Sequence, residues 1–386
     1  MAEKIILKGI TWNHSRGFVP MVATAQRFSE LNPNVEITWE KRSLQQFADF
    51  SIQELAQRFD LLVIDHPWAG FAAKTRSIVP LDKYLSKGYI QDQRQSTVGR
   101  SFESYSYDGH QWALAIDAAT PVASSRPDLL DEHGFQLPAS FEDLLALARK
   151  GLVAFAGIPI DVLMSFYMFC CSLGEDPCQN EDAVISDETG IKALQLFREL
   201  ASHIDPENFH RNPIQVYEAM TRTDDIAYCP FAYGYSNYSR RGYARKLLHF
   251  HDMVSLDGKT NLKSTLGGTG LAVSSNSSNI DIAVQYVNYV ASAACQQTVF
   301  FENGGQPGHI SAWTDAEVNR QTHNYFSNTL PALQRAFLRP RYHGHMFFQD
   351  HAGDIVRDYL MKGGNEKEVL NKMNELYLKS RNLQVA

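Results

Sequence analysis

The sequence predicts an α/β protein of two lobes, and three observations support that expectation. The chain has 386 residues, which is more than a single hydrophobic core usually serves. Hydrophobic residues make up 44% of it and charged residues 20%, which is typical of a folded chain rather than a disordered one. Near the start, two short apolar segments run into polar, aromatic loops, at residues 10–18 (ITWNHSRGF) and 59–70 (FDLLVIDHPWAG). Since open α/β sheets bind ligands at their strand ends, we expect a cleft here.

The first elements indicate a strand, a helix and a parallel strand. After the first strand, apolar residues recur at helical spacing from Val22 to Leu31, and Pro20 suits the start of that helix. Residues 35–40 alternate as a second strand. Residues 61–64 are apolar throughout, as expected for a parallel strand that is covered on both faces.

The most apolar window, residues 151–174, contains Asp161 as its one charged residue. Its length approaches that of a membrane span, but glycine, proline and this aspartate interrupt it. We therefore expect a buried strand at 152–157 and a core helix at 162–173.

Later segments continue the alternation of strands and helices. Residues 140–150 (SFEDLLALARK) predict a helix with Ser140 as its cap. Residues 225–229 predict a strand that ends at Pro230, and residues 265–275 predict another strand after a glycine turn.

The charge balance and the cysteines exclude several classes of protein. The chain has 36 basic and 43 acidic residues, a formal charge of −7, which would repel nucleic acid and anionic lipid. Its five cysteines show no CxxC spacing, so we expect them to pack as small apolar side chains rather than in disulfides or a zinc site. The N-terminal MAEKIILKG lacks the features of a secretory leader, so we expect a cytoplasmic protein or a mature exported one.

Motifs for catalysis or metal binding are weak. No GxSxG, HExxH, P-loop or GxGxxG pattern follows a strand. Lone acids in a cleft, such as Asp65 and Asp117, more often accept hydrogen bonds from a ligand, and Cys170 lies in an apolar segment that disfavours a thiolate. The histidines of residues 341–351 (RYHGHMFFQDH) lack acidic partners at ligand spacing, apart from Asp350. We expect no catalytic residue, no metal and no cofactor.

Taken in this order, the segments resemble the family 1 extracellular solute-binding proteins, the carbohydrate-binding components of ABC importers. Each segment is loose alone, but together they follow the family's order over nearly the whole chain. The matching segments are FSELNPNVEITW (28–39), FDLLVID (59–65) with Trp68 after it, IVPLDKYL (78–85), LPASFEDLLALA (137–148), GGTGLAVSSNSSNIDIAVQYVNYVAS (267–292) and GGQPG (304–308).

This resemblance implies a clamshell of the type II periplasmic binding protein fold, with a ligand cleft between two lobes. Lobe 1 would hold residues 1–114 and 267–309, and lobe 2 residues 115–266 and 310–386. The implied function is to capture a sugar or a sugar-derived acid by lobe closure and pass it to a membrane permease, as a periplasmic monomer without enzymatic activity. A cytoplasmic enzyme or ligand sensor on the same fold stays open as the alternative, because a leader is missing.

The expected ligand-binding residues follow from the same resemblance and from the loop after the first strand. Aromatic faces bind the C–H faces of sugar rings, while carboxylates and amides pair with hydroxyls. The loop NHSRG also places His14 and Arg16 at a helix start, which suits an anion, so an acidic ligand stays open. For Trp12 and Trp68, ring stacking on a ligand competes with packing in the core. The expected residues are Trp12, Asn13, His14, Arg16, Asp65, His66, Trp68, Asp117, Tyr233, Tyr235, Gly268 and Gln306.

Overall fold

The computed structural model describes residues 4–44, 46 and 51–383. The strands in this part of the chain are β1 Ile5–Trp12, β2 Val35–Arg42, β3 Leu61–Ile64, β4 Ser106–Tyr107, β5 His110–Gln111, β6 Leu114–Ala119, β7 Pro121–Ser125, β8 Tyr228–Tyr233, β9 His249–His251 and β10 Gly267–Val273.

The helices include short pieces as well as long ones. In chain order they are α1 Ser15–Leu31, α2 Ile52–Ala56, α3 Ala69–Thr75, α4 Lys87–Ser96, α5 Ser101–Ser104, α6 Pro127–Glu132, α7 Phe141–Ala148, α8 Pro159–Ser172, α9 Asp187–Ala201, α10 Pro213–Arg222, α11 Ile280–Ala291, α12 Ala293–Cys295, α13 Ile310–Thr314, α14 Ala316–Gln321, α15 Tyr325–Gln334, α16 His345–Lys362 and α17 Glu366–Arg381. Short 3₁₀ turns lie at His66–Trp68, Leu81–Lys83, Pro206–His210 and Ser236–Ser239, and a π turn at Gln296–Phe300.

The first sheet has the strand order β2-β1-β3-β10-β6. The pairs β1–β2 and β1–β3 are parallel, whereas β10 runs antiparallel to both β3 and β6. Every residue of β3 is buried, because Leu61 and Val63 face one core while Leu62 and Ile64 face another. The prediction of a parallel strand covered on both faces is thus confirmed.

The second sheet, β8-β7-β9, is antiparallel and has cores of its own. Thr120 alone separates β6 from β7, so the chain passes from the first sheet to the second there. Its hydroxyl donates to the carbonyl of Thr265 at 2.9 Å, in the segment that returns to the first sheet at β10. These two sheets form a two-lobed α/β fold, as predicted.

The lobe boundaries differ in one detail from the expectation. The predicted boundary after residue 114 falls at the start of β6, whose residues all belong to the first sheet. Because β6 pairs with β10 through Ala119, the crossing lies at Thr120 instead. The full residue ranges of the two lobes stay a prediction.

Helix α8 forms the centre of the second lobe and is buried along most of its length. It packs against α16 so closely that a Cβ on Gly353 would lie 2.2 Å from the carbonyl oxygen of Pro159.

The prediction of a strand at 152–157 was wrong. Only Val153 forms a bridge, to Tyr228, and the amide of Gly157 then bonds to the carbonyl of Arg211 instead. Among the described helices, none combines the length and the apolar character that crossing a membrane requires.

Two prolines lie inside elements that they were expected to bound. Helix α1 begins at Ser15, five residues before Pro20, because the Nδ1 of His14 caps it by accepting the amide of Arg16 at 3.0 Å. Strand β8 runs through Pro230. Because β8 is at the edge of its sheet, the amides on its outer side need no strand partner, and a proline is tolerated there.

Candidate functional site

A cavity of about 640 Å³ lies where the strand ends of the first sheet meet the helices of the second lobe. From the first lobe it is lined by the loops after β1 and β3 and by the start of β10. From the second it is lined by the end of β8, by the N-terminal ends of α8 and α10, and by α16 with the segment that leads into it. Both lobes thus contribute walls, which is the arrangement a closing cleft requires.

Three aromatic side chains line this cavity: Trp12 at the end of β1, Tyr233 at the end of β8 and Tyr235 just beyond it. Glycines allow two of these rings to lie where they do. A Cβ on Gly17 would come within 2.3 Å of the Trp12 ring, and one on Gly267 within 2.4 Å of the Tyr233 ring. The ring positions therefore depend on the absence of side chains at both glycines.

Arg16 reaches the cavity, but its charge is already met inside the protein. Its Nε lies 2.8 Å from Oδ2 of Asp117, its Nη2 lies 2.5 Å from Oδ1, and its Nη1 donates to the carbonyl of Gly234 at 2.9 Å. The guanidinium also lies 4.6 Å from the centre of the Tyr235 ring. Arg16 is only 4% exposed, so it is not a free receptor for an anion.

A second arginine on the cavity, Arg339, is compensated in the same way. Its Nη2 donates to both carboxylate oxygens of Asp65, at 2.6 and 2.8 Å, and its Nη1 to Oε1 of Gln349 at 3.1 Å. Burial alone would raise the pKa of Asp65, but the Arg339 guanidinium and the side chain of His66 lower it below its usual range. Asp65 is therefore a carboxylate held by its partner.

Asp161, in the first turn of α8, differs from these paired acids. It lines the cavity and is only 8% exposed. Its Oδ2 is buried and has no hydrogen-bond partner among the described residues. Burial raises the pKa of this carboxyl to about 7. Two further acids, Asp350 and Asp354, line the cavity from α16, and we call these three residues the acidic wall.

The structure brings half of the expected site residues to the cavity. Those that line it are Trp12, Arg16, Asp65, Tyr233, Tyr235 and Gly268. Gly268 has φ of +97° and lies against the backbone of Asp117, where a Cβ would meet a carbonyl oxygen at 2.4 Å. Their role in binding stays a prediction, since position alone does not test it.

Trp68 and His66 were expected on the cavity, and the structure places them in the core instead. Asp65 caps a 3₁₀ turn at His66–Trp68, which directs both side chains inward. Trp68 packs edge-on against Phe71 with 5.2 Å between ring centres, while His66 is fully buried and faces Tyr105.

Asn13, His14, Asp117 and Gln306 also lie outside the lining that the described residues form. Asn13 is exposed to solvent. His14 caps α1 and stacks edge-on against Tyr235, with 4.7 Å between ring centres, and burial lowers its pKa to about 3. Asp117 lies behind Arg16.

Gln306 holds the lobe crossings together and does not face the cavity. Its Nε2 donates to the carbonyl of Ala118 at 2.8 Å and of Gly234 at 3.2 Å, while its Oε1 accepts the amide of Ser236 at 2.9 Å. The side chain therefore joins β6 of the first lobe to the segment after β8 of the second.

Sequence reasoning missed several polar residues on the cavity, namely Asp161, Asn212, Arg339, Gln349, Asp350 and Asp354. One signal was available, because Asp161 is the single charge in the most apolar window. Nothing local pointed to Arg339, whose partner Asp65 is 274 residues away in the chain.

The five cysteines are free thiols that pack against apolar side chains, as expected, with four of them buried and Cys178 half-buried. Burial raises the pKa of the Cys170 thiol well above its usual range and that of Cys229 to about 12, so neither is a ready nucleophile. Across the described parts of the chain, no three His, Cys, Asp or Glu side chains are grouped so that they could hold a metal ion.

Comparison with known families decides what kind of protein this cleft belongs to. Residues 23–324 match the family described as bacterial extracellular solute-binding protein. The match covers well over half of the chain. The chain belongs to the bacterial extracellular solute-binding protein family. The resemblance seen in the sequence segments is therefore confirmed.

Solved structures show the same fold for this solute-binding protein. An ABC transporter solute-binding protein from Agrobacterium radiobacter K84, in complex with ribitol, superposes with a TM-score of 0.82 at 18% identity, covering 98% of this chain and 99% of that one. One from Thermotoga lettingae TMO, bound to α-D-tagatose, gives 0.82 at 15% identity, with coverage of 98% and 100%. The maltose-bound MalE3 of T. maritima gives 0.82 at 15% identity, with coverage of 97% and 99%. At such identities these matches establish the two-lobed fold.

Proposed function

We propose that this solute-binding protein captures a small polyhydroxyl compound, a sugar or a polyol, and delivers it to the membrane permease of an ABC importer. The observation that carries the proposal is the composition of the cavity between the lobes. There the rings of Trp12, Tyr233 and Tyr235 stand beside the polar side chains of Asp161, Asn212 and Gln349.

This composition matches the surface of a sugar or polyol. The C–H faces of such a molecule pack against aromatic rings, while its hydroxyls donate to carboxylates and exchange hydrogen bonds with amides. Since buried polar groups without partners are unfavourable, a ligand that lacks the matching hydroxyls would bind less well.

Capture would proceed by closure of the two lobes about the crossings. Thr120 and Thr265 lie side by side there, and Gln306 joins the same region. A ligand that contacts both walls would favour the closed state in proportion to the extra contacts it makes in that state. The permease would then recognise the closed form.

The ligands of the structural neighbours support this chemical class. The named complexes contain ribitol, α-D-tagatose and maltose, all of them neutral polyhydroxyl compounds. The sugar-derived acid is less well supported, because both arginines on the cavity are paired, Arg16 with Asp117 and Arg339 with Asp65.

We also infer that the protein works in the periplasm as a monomer and performs no chemistry on its ligand. The match to an extracellular solute-binding family supports this inference. The alternative of a cytoplasmic enzyme is less well supported, since no cysteine, lysine or histidine stands among the described residues that line the cavity.

Thermal denaturation against a ligand panel tests the proposal. A compound that binds only the native state raises the melting temperature. At a concentration a hundredfold above Kd, it adds about 2.7 kcal/mol to the free energy of unfolding. We expect shifts with neutral sugars or polyols, and none with sugar acids. The Tyr84→Ala variant loses an aromatic ring at an exposed position of the first lobe, away from the cavity. It is the control for a general effect of losing a ring, and it should keep the shift. No shift with any sugar or polyol would overturn the proposal.

A further inference from the structure

The chain between α15 and α16 leaves the second lobe, contacts the first and returns. It starts beside the segment that leads back to the first sheet, where the amide of Leu266 donates to the carbonyl of Phe337 at 2.7 Å. The helices on either side pack in cores of the second lobe, α15 through Phe326 and α16 through Phe348. Residues 339–346, which include the start of α16, form a further connection between the lobes, and we call them the strap.

Two arginines fix the strap to the first lobe. Nη2 of Arg339 donates to both carboxylate oxygens of Asp65, at 2.6 and 2.8 Å. Nη1 of Arg341 lies 2.6 Å from the carbonyl oxygen of Glu103 and 2.8 Å from that of Ser106. Because Asp65 and Arg339 also line the cavity, the strap forms part of the cavity wall.

Close packing accompanies these polar contacts. A Cβ on Gly70, in α3, would lie 1.7 Å from the carbonyl oxygen of Arg341, so the strap lies directly against this helix. His343 stacks on Phe71 with 5.3 Å between ring centres, and Met346 belongs to a core of the first lobe. The strap is therefore packed on the first lobe as well as bonded to it.

Two fully buried histidines lie at this junction, His66 from the turn after β3 and His345 from the first turn of α16. Both nitrogens of His345 and the Nε2 of His66 have no hydrogen-bond partner among the described residues. The Nδ1 of His66 lies 3.3 Å from the Asp65 carboxylate and 3.5 Å from Nη2 of Arg339. His345 is within electrostatic reach of the same guanidinium and of His66. The two rings thus come from different lobes and share one buried cation.

Packing alone does not account for histidine at these two positions. Buried polar atoms without partners are unfavourable, whereas an apolar side chain of similar size would fill the same space without that cost. Each ring fits only in its neutral form, because a buried imidazolium would face the Arg339 guanidinium in a medium of low polarity. What histidine adds is a charge that changes near neutral pH.

We propose that the strap is an acid-sensitive connection between the lobes: it stays on the first lobe while His66 and His345 are neutral, and their protonation frees it and weakens ligand binding. Once the strap is free, Asp65 loses its cation, and the cavity loses the part of its wall that Asp65 and Arg339 form together. The effect on the ligand rests on the proposed function, whereas the release of the strap does not.

The sign of the pH dependence follows from the two histidines. Burial is the main cause that lowers the pKa of His66 to about 4 and that of His345 to about 3, and Arg339 adds to both shifts, while Asp65 opposes them. A freed histidine regains a pKa near 6.5, so the attached strap is most stable above pH 6.5 and loses stability as the pH falls toward 4. The titratable and charged groups that face the two rings are Asp65 and Tyr105 of the first lobe and Arg339, Arg341 and Tyr342 of the strap.

Hydrogen exchange tests the release of the strap without a ligand. The protection of the amides of residues 342–350 is measured at pH 7 and at pH 5, after correction for the pH dependence of the intrinsic exchange rate. We expect this protection to fall by at least about tenfold in acid, since the freed histidines bind protons. Protection in α11 of the first lobe should stay unchanged. Equal protection of residues 342–350 at both pH values would overturn the proposal.

Leucine variants identify the rings that respond to acid. His345→Leu keeps a buried side chain of similar size and removes the titrating ring, so it should lose severalfold less protection than wild type at pH 5. His351→Leu, on an exposed ring of the same helix, is the matched control and should behave as wild type. Should His345→Leu fail to fold, His66→Leu makes the same test from the first lobe. A folded variant of either buried histidine that loses as much protection as wild type would overturn the assignment to that ring.

Calorimetric titration at the same two pH values tests the effect on the ligand. The probe is a sugar or polyol that raises the melting temperature at pH 7. Asp161 also titrates in this range, so the comparison of wild type with His345→Leu decides the outcome. We expect binding to weaken by at least about tenfold from pH 7 to pH 5 in wild type, and by severalfold less in the variant.

The outcomes separate this inference from the proposed function. An equal loss of affinity in wild type and in His345→Leu would overturn the link between the strap and the ligand. If no sugar or polyol binds at either pH, the proposed function fails, and hydrogen exchange still decides whether acid frees the strap.

Discussion

The guanidinium of Arg16 and the carboxylate of Asp117 form a buried bidentate pair, 2.8 Å from Nε to Oδ2. Arg16 belongs to the start of α1 and Asp117 to β6, next to the crossing at Thr120. The same guanidinium donates to the carbonyl of Gly234, beyond the last strand residue of β8. The pair thus connects the first lobe to the second at the back of the cavity, and its first role is to hold that junction.

Loss of Arg16 should destabilise the whole protein. In the Arg16→Met variant, Asp117 would remain buried without its cation, a change that usually reduces the free energy of unfolding by about 3–5 kcal/mol. Arg27→Met removes an exposed pair with Glu30 and should change that energy by less than about 1 kcal/mol. Denaturant unfolding of both variants measures the difference. Equal stabilities would show that the Arg16 pair is not structural.

Truncation of the two tryptophans should change ligand affinity differently, because Trp12 lines the cavity and Trp68 does not. Trp12→Ala removes a ring that lines the cavity and also packs in the core of the first lobe, where it is only 4% exposed, so stability should fall and ligand affinity of the folded protein should drop by about 10- to 100-fold. Trp68→Ala opens a hole in the core and should lower the free energy of unfolding by about 3–5 kcal/mol, with ligand affinity of the folded protein nearly retained. Calorimetric titration and thermal denaturation of each variant separate the two effects. A loss of affinity in Trp68→Ala that matches the loss in Trp12→Ala would contradict the placement of both rings.

The buried carboxyl of Asp161 should reduce stability at neutral pH. Its pKa in the folded protein, about 7, lies above the ordinary value of 3.8, so its protonated form favours folding. The contribution of Asp161 to the free energy of unfolding is therefore most favourable in acid and becomes less favourable as the pH rises from about 4 to 7. Asp161→Asn removes this penalty, so the variant should gain up to about 4 kcal/mol over wild type at pH 8 and little at pH 4.

Unfolding of wild type and Asp161→Asn across that pH range checks the sign. A difference between the two proteins that stays constant with pH would show that the carboxyl is not buried in the free protein. A gain in stability together with a loss of ligand binding would identify Asp161 as an acid retained for function.

Gly267 tests how closely the Tyr233 ring is positioned. In Gly267→Ala the new Cβ would lie 2.4 Å from the ring, which must move, so ligand affinity should fall by about tenfold. Gly88→Ala is the matched control, because a Cβ there meets nothing within 4 Å and lies in helix α4. That variant should bind normally and gain up to about 1 kcal/mol of stability. Equal affinity in both variants would show that Tyr233 takes no part in binding.

Much of the fold could be predicted because periodicity and turn chemistry are local. The apolar run at 61–64 correctly predicted β3, and Ser140 correctly predicted the start of α7. The site was harder to predict. His66 and Trp68 follow a strand, yet the 3₁₀ turn capped by Asp65 redirects them into the core, and strand alternation does not foresee that change.

The acidic wall was missed for a different reason. Asp161 and Asp354 line one cavity because α8 and α16 pack at Gly353, a contact between helices that are almost two hundred residues apart in the chain. The position of Asp161 in an apolar window indicates that this residue is unusual, but it does not predict which cavity the side chain lines.

Calorimetric titration of wild type and Tyr233→Ala with the sugar and polyol panel tests the central claim most directly, because it measures both which class of compound binds and whether it binds in the cavity that Tyr233 lines. We predict that at least one neutral sugar or polyol binds wild type with a Kd below about 1 mM, and that Tyr233→Ala weakens this binding by at least about tenfold. Binding that is equally tight in the variant, or the absence of binding by every compound, would contradict it.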